Sequence, residues 1–326
     1  MIVALSDNSQ WDVAASVTCY AVIQGYFPQD YLFHKSSERE RYRKAFIQEA
    51  VAQPDSKNFV LTDGSALQGL VHVRKLDWDS EHYGAEIYAL SAFFYPEVTA
   101  VRRQSAIADV LAQVRQQWNI SQISVHLSAD DKESEAALRA LNFTARGQQQ
   151  TLFVTSQTAS LGRLRHGRAW AVREASLLPD QEADELACAI RFPSRLYQES
   201  LCQPELVAKM HGQWLRQMLA RDPQDRAVWV FLREGMSVGL AACEKLALPD
   251  DCGDVRVFGR TLFGFLPNQA GCALDVLLRQ GLLDALSKAS VVESTVAESN
   301  RVVIRMLLRA GHRVARRNIV MTRTFL

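Results

Sequence analysis

VVESTVAESNRVVIRMLLRAGHRVARRNIVMTRT, residues Val291–Thr324, is the stretch that decides the fold. Val291–Val296 is an apolar run of strand composition. Asn300, a residue type that caps helices, stands four residues further on. Val303, Ile304, Leu307 and Leu308 then recur at helical spacing. Gly311 follows where a helix stops, because glycine takes the left-handed backbone without steric cost. Ile319–Thr324 reads as the next strand. The first half of the chain carries the same succession: a strand over Gln122–Leu127, then Asp131, a helix over Glu133–Leu141, a stop at Asn142-Phe143 and a strand near Thr151–Val154.

Upstream of each copy the order of elements agrees as well. The first half has a helical stretch at Glu38–Gln53, a strand pair at Phe59–Thr62 and Leu67–Arg74 around Asp63-Gly64, an extended segment at Glu86–Tyr95 and a helix at Gln104–Trp118. The second has a helical stretch at Glu205–Ala220, then strands at Ala227–Arg233 and Val238–Glu244 around Glu234-Gly235, a hairpin signal. The strand Arg260–Leu266 then enters a helix near Gly271. The halves agree in order and spacing rather than in identity. Each reads strand pair, strand, helix, strand, helix, strand, which is not the regular alternation of a doubly wound parallel sheet. The expectation is two α/β domains, each a mixed, mostly antiparallel sheet flanked by helices. The polar stretch Ser156–Gly167 places the boundary, giving domains 1–158 and 168–326.

Composition sets the limits. At about 100–200 residues per domain, 326 residues also predict two domains. Lys plus Arg is 37 against 36 for Asp plus Glu, a net charge of +1, so no whole-molecule attraction to nucleic acid or to a membrane is expected. Charge is uneven only near the end, where Arg301, Arg305, Arg309, Arg313, Arg316, Arg317 and Arg323 occur without an acid: a local anion site, or a solvated helix face and strand. Cys19, Cys188, Cys202, Cys243, Cys252 and Cys272 form no CxxC pair, which argues against a metal site or a disulfide framework and for a reducing, cytoplasmic setting. The start, MIVALSDNSQWDVAASV, lacks the basic segment and long apolar run of a signal peptide, and no apolar run is long enough for a membrane span.

Two segments point to a ligand. Phe265-Leu-Pro-Asn-Gln-Ala-Gly-Cys-Ala273 passes from a strand end into a helix. Small residues there let a ligand approach the backbone, and free N–H groups at a helix start bind phosphate. The alternative is a tight turn with close packing. Asn300 opens the later helix, as a cap alone or as a cap that also meets a ligand. Glu298 and Glu293 lie on or near the strand between them, as proton acceptors or as solvent-facing residues. His211, His312 and Cys272 are weaker candidates, and the aromatic segment Tyr26–Tyr31 is read as ring-stacking or core.

With these residues in place, the sequence resembles the GNAT acyl-CoA N-acetyltransferases. Their pyrophosphate loop is matched by Asn268-Gln-Ala-Gly271-Cys-Ala273, with Asn in place of Gln or Arg, and their later motif by Val296-Ala-Glu-Ser-Asn300 followed by Ala310-Gly311-His312. An ungapped placement from Pro267 would set Ala270, Ala273 and Asp275 in the loop positions instead. Within that superfamily, Leu76-Asp-Trp78-Asp79-Ser80-Glu81-His-Tyr83-Gly84 and Phe192-Pro-Ser194-Arg195-Leu-Tyr197, with Trp214, are similar to segments of the N-acetyltransferases of dTDP-4-amino-4,6-dideoxy sugars. The resemblance runs in order over Val71–Leu326.

The resemblance implies two tandem GNAT-like domains, the first a scaffold and the second the acetyl-CoA-binding one. Phe265 and Leu266 would hold the pantetheine by their backbones, Asn268, Gly271, Cys272 and Ala273 the pyrophosphate, and Asn300 the pantetheine arm. Ser194, Arg195 and Tyr197 would meet the acceptor, a dTDP- or UDP-linked amino sugar, and Glu298 would act as the base; no metal is implied, and a homodimer is compatible. Other small amines or a peptide are alternative acceptors, and a silent tandem GNAT binding module is the alternative to an enzyme. Two departures stand out. The family's tyrosine seven residues after the Asn falls on Leu307. In the first half the segment nearest a phosphate loop, Arg103–Ala108, has Ala106 where Gly is usual.

Overall fold

The computed structural model describes residues 2–4, 23–63, 66–160, 170–174, 180–190, 203–249, 254–267 and 274–325. In chain order the elements are β1 (Ile2–Ala4), α1 (Ser36–Val51), β2 (Ser56–Asp63), β3 (Ala66–Lys75), α2 (Asp77–Tyr83), β4 (Ile87–Phe94), α3 (Ala100–Gln117), β5 (Gln122–Ser128), α4 (Lys132–Ala140) and β6 (Thr144–Thr155). They continue with β7 (Trp170–Glu174), α5 (Asp180–Ile190), α6 (Pro204–Leu219), β8 (Arg226–Arg233), β9 (Met236–Lys245), β10 (Val257–Phe265), α7 (Leu274–Lys288), β11 (Val291–Ala297), α8 (Arg301–Arg309) and β12 (Arg313–Thr324).

The chain divides into two compact units. One is Met1–Gln148 with Leu248–Gly253 and Arg316–Leu326; the other is Gln149–Ala247 with Asp254–Ala315. The first unit's sheet has the order β1-β2-β3-β4-β5-β12, antiparallel except for β4 and β5. The second has β6-β11-β10-β9-β8-β7, antiparallel except for β10 and β11. Each parallel pair is joined through a crossover helix, α3 or α7, as parallel neighbours require.

The units differ from the contiguous domains 1–158 and 168–326 in their last strands and in Leu248–Gly253, which belongs to the first unit. β5 is closed by β12, with Gln122–Ser128 against Asn318–Thr324. β11 is closed by the end of β6, with Gln149–Thr155 against Val291–Ala297. Each sheet takes its last strand from the other half of the sequence.

Strand alternation builds the two faces of the second unit. Ala227, Trp229 and Phe231 of β8 pack with Leu282 and Ala285 of α7, while Val228 and Val230 pack with Leu186 of α5 and Leu215 of α6. The β8–β9 turn has φ 54° at Glu234 and 83° at Gly235, the left-handed pair whose twist matches a hairpin. In the first unit Tyr42 of α1, Phe93 of β4, Ile107 and Val110 of α3 and Ile123 of β5 form the core.

Gly311 ends α8 with φ 94°, and an added Cβ there would lie 2.0 Å from the Thr158 carbonyl oxygen. The Ser160 N–H donates to the Ala310 carbonyl beside it at 3.0 Å. Gly311→Ala meets both the backbone and the contact penalty, so equilibrium urea unfolding is expected to show a loss of more than about 1 kcal/mol.

Three buried histidines give the chain an acid-sensitive stability. Burial holds His72, His211 and His312 down to about 4. His72 Nδ1–H donates to Asn58 Oδ1 at 2.8 Å, and His312 Nδ1–H donates to the Leu307 carbonyl at 3.0 Å. A histidine whose folded pKa lies below its unfolded value of 6.5 binds its proton more readily in the unfolded chain. Its contribution is complete above pH 6.5 and is lost as pH falls toward 4, by up to about 3 kcal/mol each. Urea midpoints are expected to hold steady above neutrality and to drop across that window, less steeply in His72→Gln.

Candidate active site

β11 stays in register with β6 from Val291 through Ala297. On its other side it pairs with β10 only at Val257↔Val291 and Phe258↔Val292. β10 is therefore the strand that leaves. It leaves at a bulge: its register against β9 shifts between Gly259 and Leu262, and Arg260 takes φ 48°. A buried carboxylate holds that residue in place. Glu244 Oε1 accepts from Arg260 Nη1 at 2.8 Å, and Glu244 Oε2 pairs with Arg221 Nε at 2.6 Å.

Within the bulge one side chain spans the gap. Thr261 Oγ1 donates to the Glu293 carbonyl at 2.9 Å and lies 3.3 Å from Ser294 Oγ. Beyond Thr261, Phe263 and Phe265 face Ala241 and Gly239 on β9. The Leu266 N–H donates back to the Val238 carbonyl at 2.8 Å. Antiparallel pairs alternate between bonded and non-bonded, so Phe263 and Phe265 turn their N–H and C=O groups the other way, into the gap. Among the described residues nothing pairs with them there. The result is a slot with one strand edge left bare by the described residues. This corrects one expectation: the Leu266 N–H is committed to β9, and the outward groups belong to Phe263 and Phe265.

Two expected residues follow the carboxyl end of β11, Glu298 and Asn300. Glu298 is half-buried, and its Oε1 accepts from Gln150 Nε2 of β6 at 3.0 Å. Asn300 Oδ1 accepts from the Val303 N–H at 3.3 Å, which caps α8 and leaves its amide nitrogen to donate. Glu293 is buried within β11, its carbonyl taken by Thr261. Leu307 is in the core, packed with Leu152 of β6 and Ile304. His211 and His312, both held neutral by burial, are core residues.

Asn268, Gly271, Cys272 and Ala273 lie outside the described residues, immediately before α7. Ser194, Arg195 and Tyr197 lie outside them too. The Leu76–Gly84 motif forms α2 in the first unit. Ser80 Oγ accepts from the Ile87 N–H at 3.0 Å, which ties the helix to β4, and Gly84 caps it at φ 59°. Among the described residues no group of His, Cys, Asp or Glu side chains could hold a metal ion, and no helix is long and apolar enough to cross a membrane.

Sequence reasoning missed Phe263, Thr261, Gln150 and the Glu244–Arg260–Arg221 cluster. One signal was present: Gly259 precedes the strand read from Arg260, and a glycine in a strand pattern marks a bulge.

No protein-family model and no curated protein matches the chain. Solved structures do. A tandem GNAT protein from the clavulanic acid biosynthesis pathway superposes with a TM-score of 0.56 at 14% identity, covering 99% of this chain and 98% of that one. A GCN5-related N-acetyltransferase from Sphaerobacter thermophilus gives 0.57 at 14% identity, over 99% and 95%. Another, from Kribbella flavida, gives 0.51 at 13% identity, over 85% and 92%. At such identities the likeness speaks for architecture: the chain has the fold of the tandem GNAT proteins.

Proposed function

We propose that the second unit binds acetyl-CoA and that the protein transfers its acetyl group to the amine of a dTDP- or UDP-linked amino-deoxy sugar by direct attack. The observation that carries the donor half is the bare edge at Phe263 and Phe265. A pantetheine arm contains two amides, each with one donor and one acceptor, so it fits that edge as a short strand partner. In this reading the Asn300 amide nitrogen donates to the same arm; that its Oδ1 is committed to the Val303 N–H while the nitrogen has no such role supports this. The Gly271–Ala273 backbone, at the start of α7, suits a pyrophosphate.

Bound acetyl-CoA supplies an activated acyl thioester. The chain's own residues supply position and proton handling. The amine must be neutral to attack, and Glu298, held by Gln150, is the proton acceptor in this reading. α8 offers no proton donor at position 307, because Leu307 serves the core. The second unit's sequence contains a single tyrosine, Tyr197, the one phenol that unit itself could offer as an acid. Holding amine and thioester together contributes several kcal/mol by itself, roughly 7–11 in well-oriented cases. On the acceptor side Arg195 suits a diphosphate through bidentate hydrogen bonds, with Ser194 and Tyr197 beside it. The sugar class rests on the similarity of Leu76–Gly84 and Phe192–Tyr197 to enzymes of that class. Burial of Leu307 supports a second reading, a tandem GNAT binding module without turnover.

A thiol-release assay with a panel of dTDP- and UDP-amino sugars, run beside calorimetry with acetyl-CoA, separates these readings. Turnover with one sugar class is expected, with Glu298→Gln lowering kcat about 100-fold or more and leaving acetyl-CoA affinity unchanged. Acetyl-CoA binding without turnover on any amine supports the module. No binding at all removes the donor assignment.

A further inference from the structure

The first unit forms the same slot and then fills it. β4 and β5 are paired in parallel over Ile87–Leu90 and Gln122–Val125 and then part. Phe94 is the counterpart of Phe265. Each faces a glycine of the preceding strand, Gly69 or Gly239. Each lays its ring on that glycine: an added Cβ would meet Phe94 Cδ1 at 2.4 Å or Phe265 Cδ1 at 2.6 Å. In each unit the next residue donates to the one before the glycine, Tyr95 to Gln68 at 3.1 Å and Leu266 to Val238 at 2.8 Å. Both phenylalanines therefore present their N–H and C=O to the parted strand. The partner of Phe94 is already there. The Gln24 N–H donates to the Phe94 carbonyl at 2.8 Å, and the Phe94 N–H donates to the Gln24 carbonyl at 3.0 Å.

We propose that Ile23–Asp30 is the permanent occupant of the first unit's slot and closes it to acyl donors, which leaves the second unit as the chain's one donor site. The second half of that statement rests on the donor-binding reading of the Phe265 edge.

The occupant is built into the first unit at every point of contact. Gly25 lies so close to β4 that an added Cβ would meet Phe93 Cδ1 at 2.4 Å and the Ala92 carbonyl at 3.1 Å. Ile23 and Phe27 are buried. Arg43 grips the segment at both ends, with Nη1 on the Ile23 carbonyl at 3.1 Å and Nε and Nη2 on the Asp30 carboxylate at 3.1 and 2.8 Å. Arg316 Nη1 donates to the Phe27 carbonyl at 2.8 Å.

The groups that would greet a phosphate in this unit are spent as well. Arg103, in the segment nearest a phosphate loop, is fully buried. A guanidinium has five N–H donors, and each here has a protein acceptor. Nε donates to the Val98 carbonyl at 2.8 Å. Nη1 donates to Asp131 Oδ1 at 2.7 Å and Ser134 Oγ at 2.8 Å. Nη2 donates to Gln24 Oε1 at 2.7 Å and the Tyr95 carbonyl at 3.4 Å. The start of α3, where an anion is favoured, is taken by Glu133, whose Oε2 accepts from the Ala100 N–H at 2.6 Å. A pyrophosphate there would meet the Glu133 carboxylate, would find no donor left on Arg103, and would have to compete with Asp63 for Arg102, whose Nη1 donates to Asp63 Oδ2 at 3.1 Å.

Residue-resolved hydrogen exchange on the full chain, with acetyl-CoA as the probe and calorimetry beside it, tests this. Calorimetry is expected to give one acetyl-CoA per chain. The Phe94 and Gln24 amides are expected to exchange slowly with or without acetyl-CoA. The Phe265 amide is expected to exchange fast in the free protein and to slow at least about tenfold on binding. A second equivalent of acetyl-CoA, or protection at Phe94 that appears only with it, overturns the closure. So does one equivalent that leaves the Phe265 amide fast and changes exchange at Phe94 or Gln24 instead, since the donor would then sit in the first unit. No binding at all, with Phe94 still slow, leaves the closure standing and removes the donor reading of the second unit.

Discussion

A strand that parts from its parallel neighbour uncovers a row of backbone N–H and C=O groups, and buried backbone groups require partners. That constraint organises both units. In the second, β11 is held by β6 along its full length, so β10 must do the bending. The bend places Arg260, an L-residue, in the left-handed region, a conformation most residues avoid. Glu244 offsets that cost by pairing with Arg260 and Arg221 at a buried position. Removing one guanidinium would leave a buried carboxylate short of a partner, which is costly, so the bulge is anchored rather than incidental. In the first unit β4 parts from β5 with its register against β3 unbroken, and Gln24 supplies the missing backbone partner.

The repeated succession of strand, cap, helix and stop was legible because each piece carries its own local signal. Asn300 and Asp131 cap α8 and α4 with their side chains, accepting from Val303 and Ser134, at the positions their residue types suggested. Gly311 and Asn142 take positive φ at the two stops. The bulge left one trace in the sequence, Gly259, whereas Arg at a left-handed position has no sequence signature. The slot's outward residues were misjudged by one step: whether Leu266 or Phe263 faces the gap depends on register against β9, which Gly259–Leu262 shifts. Tyr26–Tyr31 offered two readings, and only the backbone pairing at Gln24 decides what the segment does.

The exchange of last strands was beyond the sequence for a different reason. β6 and β12 each follow a short helix and a stop, and each is exposed at its start and buried toward its end. Hydrophobic pattern assigns such a strand to a sheet edge, not to a particular sheet. β5 and β11 offer equivalent edges, because each is paired in parallel on one side and open on the other. The choice between them is made by contacts far apart in sequence.

That choice shapes the chemistry available at the second unit's slot. β6 belongs to the first half of the sequence, yet it provides Gln150 beside Glu298 and Leu152 beneath α8. Leu307 packs on Leu152, so the position where the resemblance expects a phenol is filled by the need to cover an exchanged strand. A tyrosine there would have to bury its hydroxyl among Leu152, Ile304 and Val303, with no acceptor among them but occupied backbone. The burial of Leu307 and the Gln150–Glu298 hydrogen bond thus both follow from β6 being the strand beside β11. The first half of the chain contributes to the site not through its own slot, which Gln24 occupies, but through the one strand it lends.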